Sequence, residues 1–265
     1  MNKLLRVFFY CSVCILSTLN LYGDSDDEKN TRLKYNLVEG LPDVYLDPNS
    51  EKIGCTWVNN LVWDKPLIQQ FYSLLPAQDF FVVLDIGAQT GSFTLLAKYF
   101  PNSTWHAFEP IQEAVNTLKE NLKLNDIENV EVNQIAATDF SGQITLKMPG
   151  MDAWGLSTIG ANPLRFTTVF ERIIECIDLD SYVEHQNIKK VHFMKLDTEG
   201  SELYILRGAK KMIMRDHPIM IMEYNRTNMS QCNVTPEELD NLLNEMGYAW
   251  KLISSEDILC IPVSP

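Results

Sequence analysis

From Phe80 to the end of the chain, short apolar runs alternate with longer amphipathic stretches. Each apolar run has the length of one strand, and each amphipathic stretch has the apolar spacing of a helix that covers one face of a sheet. This alternation is typical of an α/β fold in which helices wrap a mostly parallel sheet. The predicted strands of that sheet are Phe80–Leu84, Thr104–Phe108, Val130–Ile135, Val191–Leu196 and Ile219–Glu223.

The segments on either side of these strands complete the predicted fold. The last two apolar runs, Tyr248–Ile253 and Asp257–Ile261, are predicted to form a closing antiparallel hairpin. Residues 57–75 carry apolar side chains at helical spacing, so we predict a helical N-terminal extension. The other predicted elements are the helices Phe93–Tyr99, Ile111–Leu124, Ser201–Met214 and Pro236–Met246 and the strands Ile144–Met148 and Arg172–Ile177.

The first residues have the composition of an export signal. Lys3 and Arg6 precede an apolar stretch, residues 7–16, that is shorter than the roughly 20 residues needed to span a bilayer. We therefore predict a signal peptide and a secretory or other extracytoplasmic location, with membrane contact only if the segment stays uncleaved as a signal-anchor. A mis-assigned start and an amphipathic surface helix are the alternatives. The predicted domains are the signal (1–23), an acidic linker with the helical extension (24–76) and the α/β domain (77–265).

The net charge and the spacing of the cysteines disfavour two kinds of ligand, nucleic acids and zinc. The chain has 22 Lys and Arg against 35 Asp and Glu, a formal net charge of −13. Because phosphate binding needs a basic face, we predict no nucleic-acid partner. Cys11 and Cys14 lie in the predicted signal, and the other four cysteines lack the spacing of a zinc site. Cys176 and Cys260 lie in predicted strands, where a free thiol packs as a small hydrophobic group.

The first strand of the α/β domain ends in an acid and a glycine-rich turn. Asp85 precedes Gly87 by two residues, and Gly91 follows four residues later. Glycines permit positive φ and close approach of the main chain to a ligand. The loop does not have the Gly-x-Gly-x-x-Gly pattern of dinucleotide sites, and a carboxylate suits a cationic sulfonium better than a pyrophosphate. We therefore predict that these three residues bind S-adenosylmethionine. We also expect valine at Gly87 or Gly91 to abolish that binding and leave the fold intact.

Two more acids follow the next two strands. Glu109 comes 18 residues after Gly91, at the end of the second strand, where folds of this kind place a ribose-binding carboxylate. Asp139 follows the small residues Ala136 and Ala137 after the third strand. We predict that Asp139 pairs with an adenine amino group, and the alternative for it is a turn residue.

The fourth strand leads into the most distinctive segments, Lys195–Glu202 and Leu206–Ala209. Together with Leu84–Ala88 and Phe108–Pro110, they resemble the FkbM family of S-adenosylmethionine-dependent methyltransferases over about residues 80–224. The resemblance implies a Rossmann-like class I methyltransferase fold, with the glycine-loop residues and the acid after the second strand at cofactor positions. The family includes O-methyltransferases that act on sugars, lipids and natural products.

Asp197 and Glu199 are the predicted catalytic residues. In a methyltransferase-like strand order the first and fourth strands are neighbours, so both acids would face the methyl group. Transfer to oxygen needs a base for the hydroxyl proton, and we predict Asp197 first and Glu199 second. The alternative for Glu199 is a cap of the helix near Ser201. Glu223 and Asn225 would complete an oxygen cluster for Mg²⁺ or Ca²⁺ with Asp197, but nothing else requires a metal and we predict none.

These observations together predict a methyltransferase that uses S-adenosylmethionine to modify a hydroxyl of a small-molecule, glycan or lipid acceptor. One alternative is a catalytically degenerate binding module with a methyltransferase fold in the secretory pathway, since a fold does not fix a function. A nicotinamide-dependent oxidoreductase is a further alternative that the missing central glycine disfavours.

Overall fold

The computed structural model describes residues 33–53, 57–58, 61–62, 64–76, 80–160 and 169–263. The predicted signal, residues 1–23, lies outside these ranges. Within them, no helix combines the length and the apolar character needed to cross a membrane.

In chain order, the strands are β1 (Leu33–Tyr35), β2 (Val44–Leu46), β3 (Trp57–Val58), β4 (Leu61–Val62), β5 (Val82–Ile86), β6 (Thr104–Phe108), β7 (Val130–Asn133), β8 (Ala136–Thr138), β9 (Gly142–Pro149), β10 (Val169–Asp178), β11 (Phe193–Leu196), β12 (Ile219–Glu223), β13 (Tyr248–Leu252) and β14 (Asp257–Pro262). The helices are α1 (Asn49–Ile53), α2 (Lys65–Leu74), α3 (Gln112–Leu124), α4 (Leu179–His185), α5 (Glu202–Gly208), α6 (Lys210–Asp216), α7 (Arg226–Gln231) and α8 (Pro236–Glu245), with 3-10 helices η1 (Thr94–Tyr99) and η2 (Met151–Leu156).

The central sheet has the strand order β13-β14-β12-β11-β5-β6-β7. The strands from β12 to β7 pair in parallel, and β14 pairs antiparallel with both β12 and β13. The predicted α/β fold, its mostly parallel sheet and its antiparallel C-terminal hairpin are therefore confirmed. The order reverses between β5 and β11, so the carboxyl ends of these two strands border the crevice where open α/β sheets bind ligands.

Helices bury apolar stripes against the sheet. In α3 the buried residues Ala114, Leu118 and Leu122 recur every four positions and thus share one helix face. Cys176 and Cys260 are buried free thiols, as predicted.

Helix α8 begins at a capping box. The Thr235 hydroxyl accepts the N–H of Glu238 at 3.2 Å, and the Glu238 carboxylate accepts the N–H of Thr235 at 3.0 Å. These two bonds satisfy main-chain donors that a helix start leaves open, which explains why the helix begins directly after Thr235.

The N-terminal extension is helical only in part. Helix α2 confirms the prediction over residues 65–74, but β3 pairs antiparallel with β4, so the predicted helix is wrong for residues 57–58 and 61–62. The two strands are rich in β-branched and aromatic residues, which favour strands although the apolar spacing also fits a helix. In the sequence, Asn59 and Asn60 separate the two strands, and asparagine favours turns.

A second, three-stranded sheet has the order β8-β10-β9. Strand β10 pairs parallel with β8 and antiparallel with β9, and the predicted strands Ile144–Met148 and Arg172–Ile177 lie within β9 and β10. A bridge between Lys147 and Thr158 joins β9 to the segment that follows η2. This sheet holds that segment beside the carboxyl ends of the central strands.

Candidate active site

A cleft lies at the carboxyl ends of β5, β6 and β11, where the strand order reverses. It encloses about 900 Å³ with its open mouth included. The predicted site residues that line it are Gly87, Glu109, Asp197 and Glu199. The predicted site residues that do not line it are Asp85, Gly91 and Asp139.

Both glycines of the loop after β5 have positive φ, +79° at Gly87 and +103° at Gly91. A Cβ on Gly87 would lie 2.1 Å from the carbonyl oxygen of Asp197, and one on Gly91 would lie 2.6 Å from Cδ1 of Leu118. A side chain at either position therefore collides with the protein itself. The expectation that valine here leaves the fold intact is wrong, because the main chain after β11 and a side chain of α3 already fill the space.

Asp85 lies beneath the wall of the cleft. Its side chain is fully buried, and its Oδ2 accepts a hydrogen bond from the hydroxyl of Thr94 at 2.5 Å. Its Oδ1 lies 3.7 Å from Nζ of Lys195 and has no hydrogen bond within the described part of the chain. Burial raises the pKa of Asp85, and the ammonium of Lys195 and the hydroxyl of Thr94 oppose that shift. Asp85 does not line the cleft, so any effect that it has there passes through Lys195 and Thr94.

Lys195 is a buried cation for which no role was predicted. Its Nζ donates to the carbonyl oxygen of Gly87 at 2.9 Å, lies 3.9 Å from Oδ2 of Asp197 and sits 5.1 Å from the ring centroid of Phe93. Burial would lower the pKa of Lys195, but the carboxylates of Asp197, Asp85, Asp64 and Glu109 together outweigh it and raise that pKa. A charged ammonium thus joins the glycine loop to two acids.

Glu109 is held rigidly at the end of β6. Its Oε2 accepts the N–H of Gln89 at 3.0 Å, and its Oε1 accepts the N–H of Ile111 at 2.9 Å. Burial raises the pKa of Glu109 to about 7, although these two N–H groups oppose the shift. The carboxylate therefore has a fixed orientation in the wall of the cleft, as a ligand for hydroxyl groups requires.

The structure does not bring Asp139 to the cleft. Asp139 is exposed and lines two other surface depressions. The reason is topological: the segment after β7 leaves the central sheet as β8, which pairs with β10. Its position agrees with the alternative of a turn residue.

Asp197 follows β11 directly, and its N–H donates to the carbonyl of Ile86 at 3.1 Å. Its side chain is 38% exposed, whereas Glu199 is buried and has a φ of +57°. The helix that follows has Ser201 as its N-cap, and the Ser201 side chain makes no cap hydrogen bond. The carboxylate of Glu202 accepts the N–H of Thr198 at 2.8 Å and its hydroxyl at 3.0 Å.

A third acid lies behind Asp197 and Glu199. Nδ2 of Asn228 donates to Glu199 at 2.6 Å and to Glu223 at 2.9 Å. One oxygen from each of Asp197, Glu199 and Glu223 lies within 4.8 Å of the other two, a spacing that a cation could bridge. Asn225 is not part of this cluster, because its oxygen accepts two N–H groups of the first turn of α7 at 3.0 and 3.2 Å. The amide of Asn228 already donates to two of these three acids, Glu199 and Glu223.

Three functional residues were not predicted. The sequence could have indicated Lys195, since a charged residue in the middle of an apolar strand needs a buried partner. Thr158 donates from its hydroxyl to the carbonyl of Glu199 at 2.9 Å, and Trp154 lines the cleft. No motif marks these two residues, because only the second sheet places them beside β11.

Residues 85–249, more than half of the chain, match the methyltransferase FkbM domain. The chain belongs to the FkbM methyltransferase family. S-adenosylmethionine is therefore the cofactor, which confirms the family and cofactor predictions. The cleft fits this cofactor, since Glu109 presents fixed acceptors to hydroxyl groups and Asp197 supplies a carboxylate for a cationic ligand.

Known methyltransferases resemble this FkbM family member in sequence and in fold. Methyltransferase 1 of Beauveria bassiana (strain ARSEF 2860) is 29% identical in an alignment of 181 residues that covers 62% of this chain and 71% of that protein. The crystal structure of methyltransferase FkbM from Methylobacillus flagellatus KT is 17% identical with a TM-score of 0.48, and the match covers 76% of this chain and 54% of that one. Precorrin-6y C5,15-methyltransferase from Geobacter metallireducens GS-15 is 14% identical with a TM-score of 0.50, over 87% of this chain and 100% of that one. This last similarity is one of fold.

Proposed function

We propose that this methyltransferase modifies a hydroxyl oxygen of a small-molecule, glycan or lipid acceptor, with Asp197 as the general base. The position of Asp197 carries the proposal. Its carboxylate follows β11 on the wall of the cleft and is 38% exposed. Glu199 and Glu223 are buried and bonded to Asn228, so they are less accessible to an acceptor.

The residues of the cleft have distinct tasks in this reaction. S-adenosylmethionine supplies an electrophilic methyl group on a sulfonium. Asp197 would take the proton of the acceptor hydroxyl as the methyl group passes from the sulfonium to that oxygen, so the base ends protonated and the cofactor leaves as S-adenosylhomocysteine. Glu109 would orient the cofactor by accepting hydrogen bonds from the cofactor's hydroxyl groups. Trp154 covers the acceptor side and helps to exclude water.

The test uses purified protein, S-adenosylmethionine labelled in its methyl group, and separate extracts of small molecules, glycans and lipids. We expect the label to enter an ether that resists mild base. Asp197→Asn should lower turnover on the order of 10²–10⁴ fold while affinity for S-adenosylhomocysteine stays within a few-fold. The control is Asp126→Asn, at an exposed residue with a φ of +55° that asparagine also adopts.

Three outcomes would contradict parts of this proposal. Label in an amine, thioether or ester would exclude the hydroxyl acceptor. Unchanged turnover in Asp197→Asn would exclude the base. Loss of turnover with a chelator and recovery with Mg²⁺ would show that the cluster of Asp197, Glu199 and Glu223 binds a metal.

A further inference from the structure

One ammonium group lies between the glycine loop and two acids. In the register of β11 and β5, Lys195 pairs with Asp85, so both side chains leave the sheet on the same face. From there Nζ of Lys195 reaches the Gly87 carbonyl at 2.9 Å and lies 3.7 Å from Asp85 and 3.9 Å from Asp197. The side chain is 6% exposed and lines the cleft.

A buried lysine between carboxylates can serve stability alone, because removal of one partner leaves an uncompensated charge. The contacts of Lys195 go further than that. The Gly87 carbonyl belongs to the loop that approaches the cofactor, and Asp197 is the acid that faces the acceptor. Within the described ranges, no other cation lies within 4 Å of Asp85 or Asp197. Lys195 therefore contacts both the glycine loop, at the Gly87 carbonyl, and the acid Asp197.

The charge of Lys195 also acts on the reacting centre. If Asp197 takes the proton, the acceptor and the methyl group that it receives lie on the side of the cleft that Lys195 and Asp197 line. Lys195 is a cation among several acids, since Asp64 and Glu109 also act on its charge and Glu199 and Glu223 lie close to Asp197. Removal of that positive charge leaves the site more negative, so a cationic ligand would gain affinity relative to a neutral one.

We propose that Lys195 is a positioning residue of the methyl-transfer site, which ties the Gly87 carbonyl to Asp197 and sets the charge that faces the sulfur of the cofactor. The proposal rests on the role of Asp197 proposed above. It assigns Lys195 an action through Gly87 and Asp197 rather than on the acceptor.

Calorimetry with two ligands tests this role: S-adenosylmethionine, which is a sulfonium, and S-adenosylhomocysteine, which lacks that charge. The variants are Lys195→Met, Lys195→Gln and Lys195→Arg, and the control is Lys211→Gln at an exposed position. We expect the two neutral variants to bind S-adenosylhomocysteine at least ten-fold more weakly and to raise the ratio of the two affinities, sulfonium over product, at least three-fold. Lys195→Arg should keep the wild-type ratio, and Lys211→Gln should match the wild type in both affinities.

A merely structural role gives a different result. Equal weakening of both ligands in all three Lys195 variants would overturn the proposal, and so would unchanged affinities. Lys195→Gln keeps a donor for the Gly87 carbonyl and provides the comparison if Lys195→Met does not fold. If neither neutral variant folds, the charge is structural and the proposal is wrong. Because binding needs no acceptor, this result is independent of the turnover of Asp197→Asn, which tests the proposed base.

Discussion

The carbonyl oxygen of Asp197 occupies the place where a side chain on Gly87 would begin, since a Cβ built there would lie 2.1 Å from that oxygen. On the other side, the N–H of Gly87 donates to the carbonyl of Phe108 at 3.0 Å. The cofactor loop is therefore clamped between the ends of β11 and β6. As a result, the loop and the predicted base cannot move independently.

Because of this clamp, substitution of Gly87 should destabilise the fold more than substitution of Gly91. Gly87→Ala should lower the free energy of unfolding by about 3 kcal/mol or more, because main chain would have to move. Gly91→Ala should cost less, since the atom that it meets is a side-chain methyl of Leu118. Gly40→Ala is the control, with a φ of +82° and nothing within 4 Å of the added Cβ; it should cost about 1 kcal/mol from backbone strain alone. Urea unfolding measures all three, and equal losses would contradict the clamp.

Sequence reasoning succeeded where local pattern determines structure. The apolar runs Thr104–Phe108 and Ile219–Glu223 form strands with those bounds, because a short apolar run between turns has few other conformations in a compact fold. Residues 57–62 show the limit. There the apolar spacing fits both a helix and a hairpin, and only the turn preference of Asn59 and Asn60 distinguishes them.

The site was predictable where it depends on strand ends and unpredictable where it depends on distant elements. Asp197 and Glu109 both line the cleft because the carboxyl ends of parallel strands meet at one edge, and their roles stay predictions. The adenine role of Asp139 assumed that the third strand's continuation stays in the central sheet, whereas β8 pairs with β10. The bond from Asn228 to Glu199 depends on how α7 packs, which no local pattern shows.

The predicted export signal can be tested without the catalytic domain. Residues 1–30 fused to a reporter should direct it into a membrane-enclosed compartment, because the basic and apolar segment is read before any domain folds. The reporter should then resist added protease until detergent is present. A matched fusion with Phe9→Lys should remain accessible, since a charge interrupts the apolar stretch. A wild-type fusion that stays accessible would contradict the predicted location.

Glu109→Gln should weaken binding of S-adenosylhomocysteine by about 1–3 kcal/mol, because a neutral amide makes weaker hydrogen bonds to hydroxyl groups than a carboxylate does. The variant keeps the side-chain shape and can still accept one of the two N–H groups that now bond to Glu109. Calorimetry at pH 8 measures the loss. An affinity equal to that of the wild type would remove Glu109 from the cofactor site.

The pH dependence of the same residue should have opposite signs for binding and for stability. Burial raises the pKa of Glu109 to about 7, above its ordinary value of 4.5. Between these two pH values, the Glu109 carboxyl of the folded, cofactor-free protein keeps a proton that the unfolded chain has lost. The stabilisation from this group is fully present below pH 4.5 and is lost as the pH rises through 7, by at most about 1.4 kcal/mol per pH unit. Binding that requires the ionised carboxylate should instead tighten by up to about ten-fold between pH 6 and pH 8. Urea unfolding and calorimetry of the wild type against Glu109→Gln isolate both effects, since the variant lacks the titrating group, and parallel pH profiles of the two proteins would contradict the assignment.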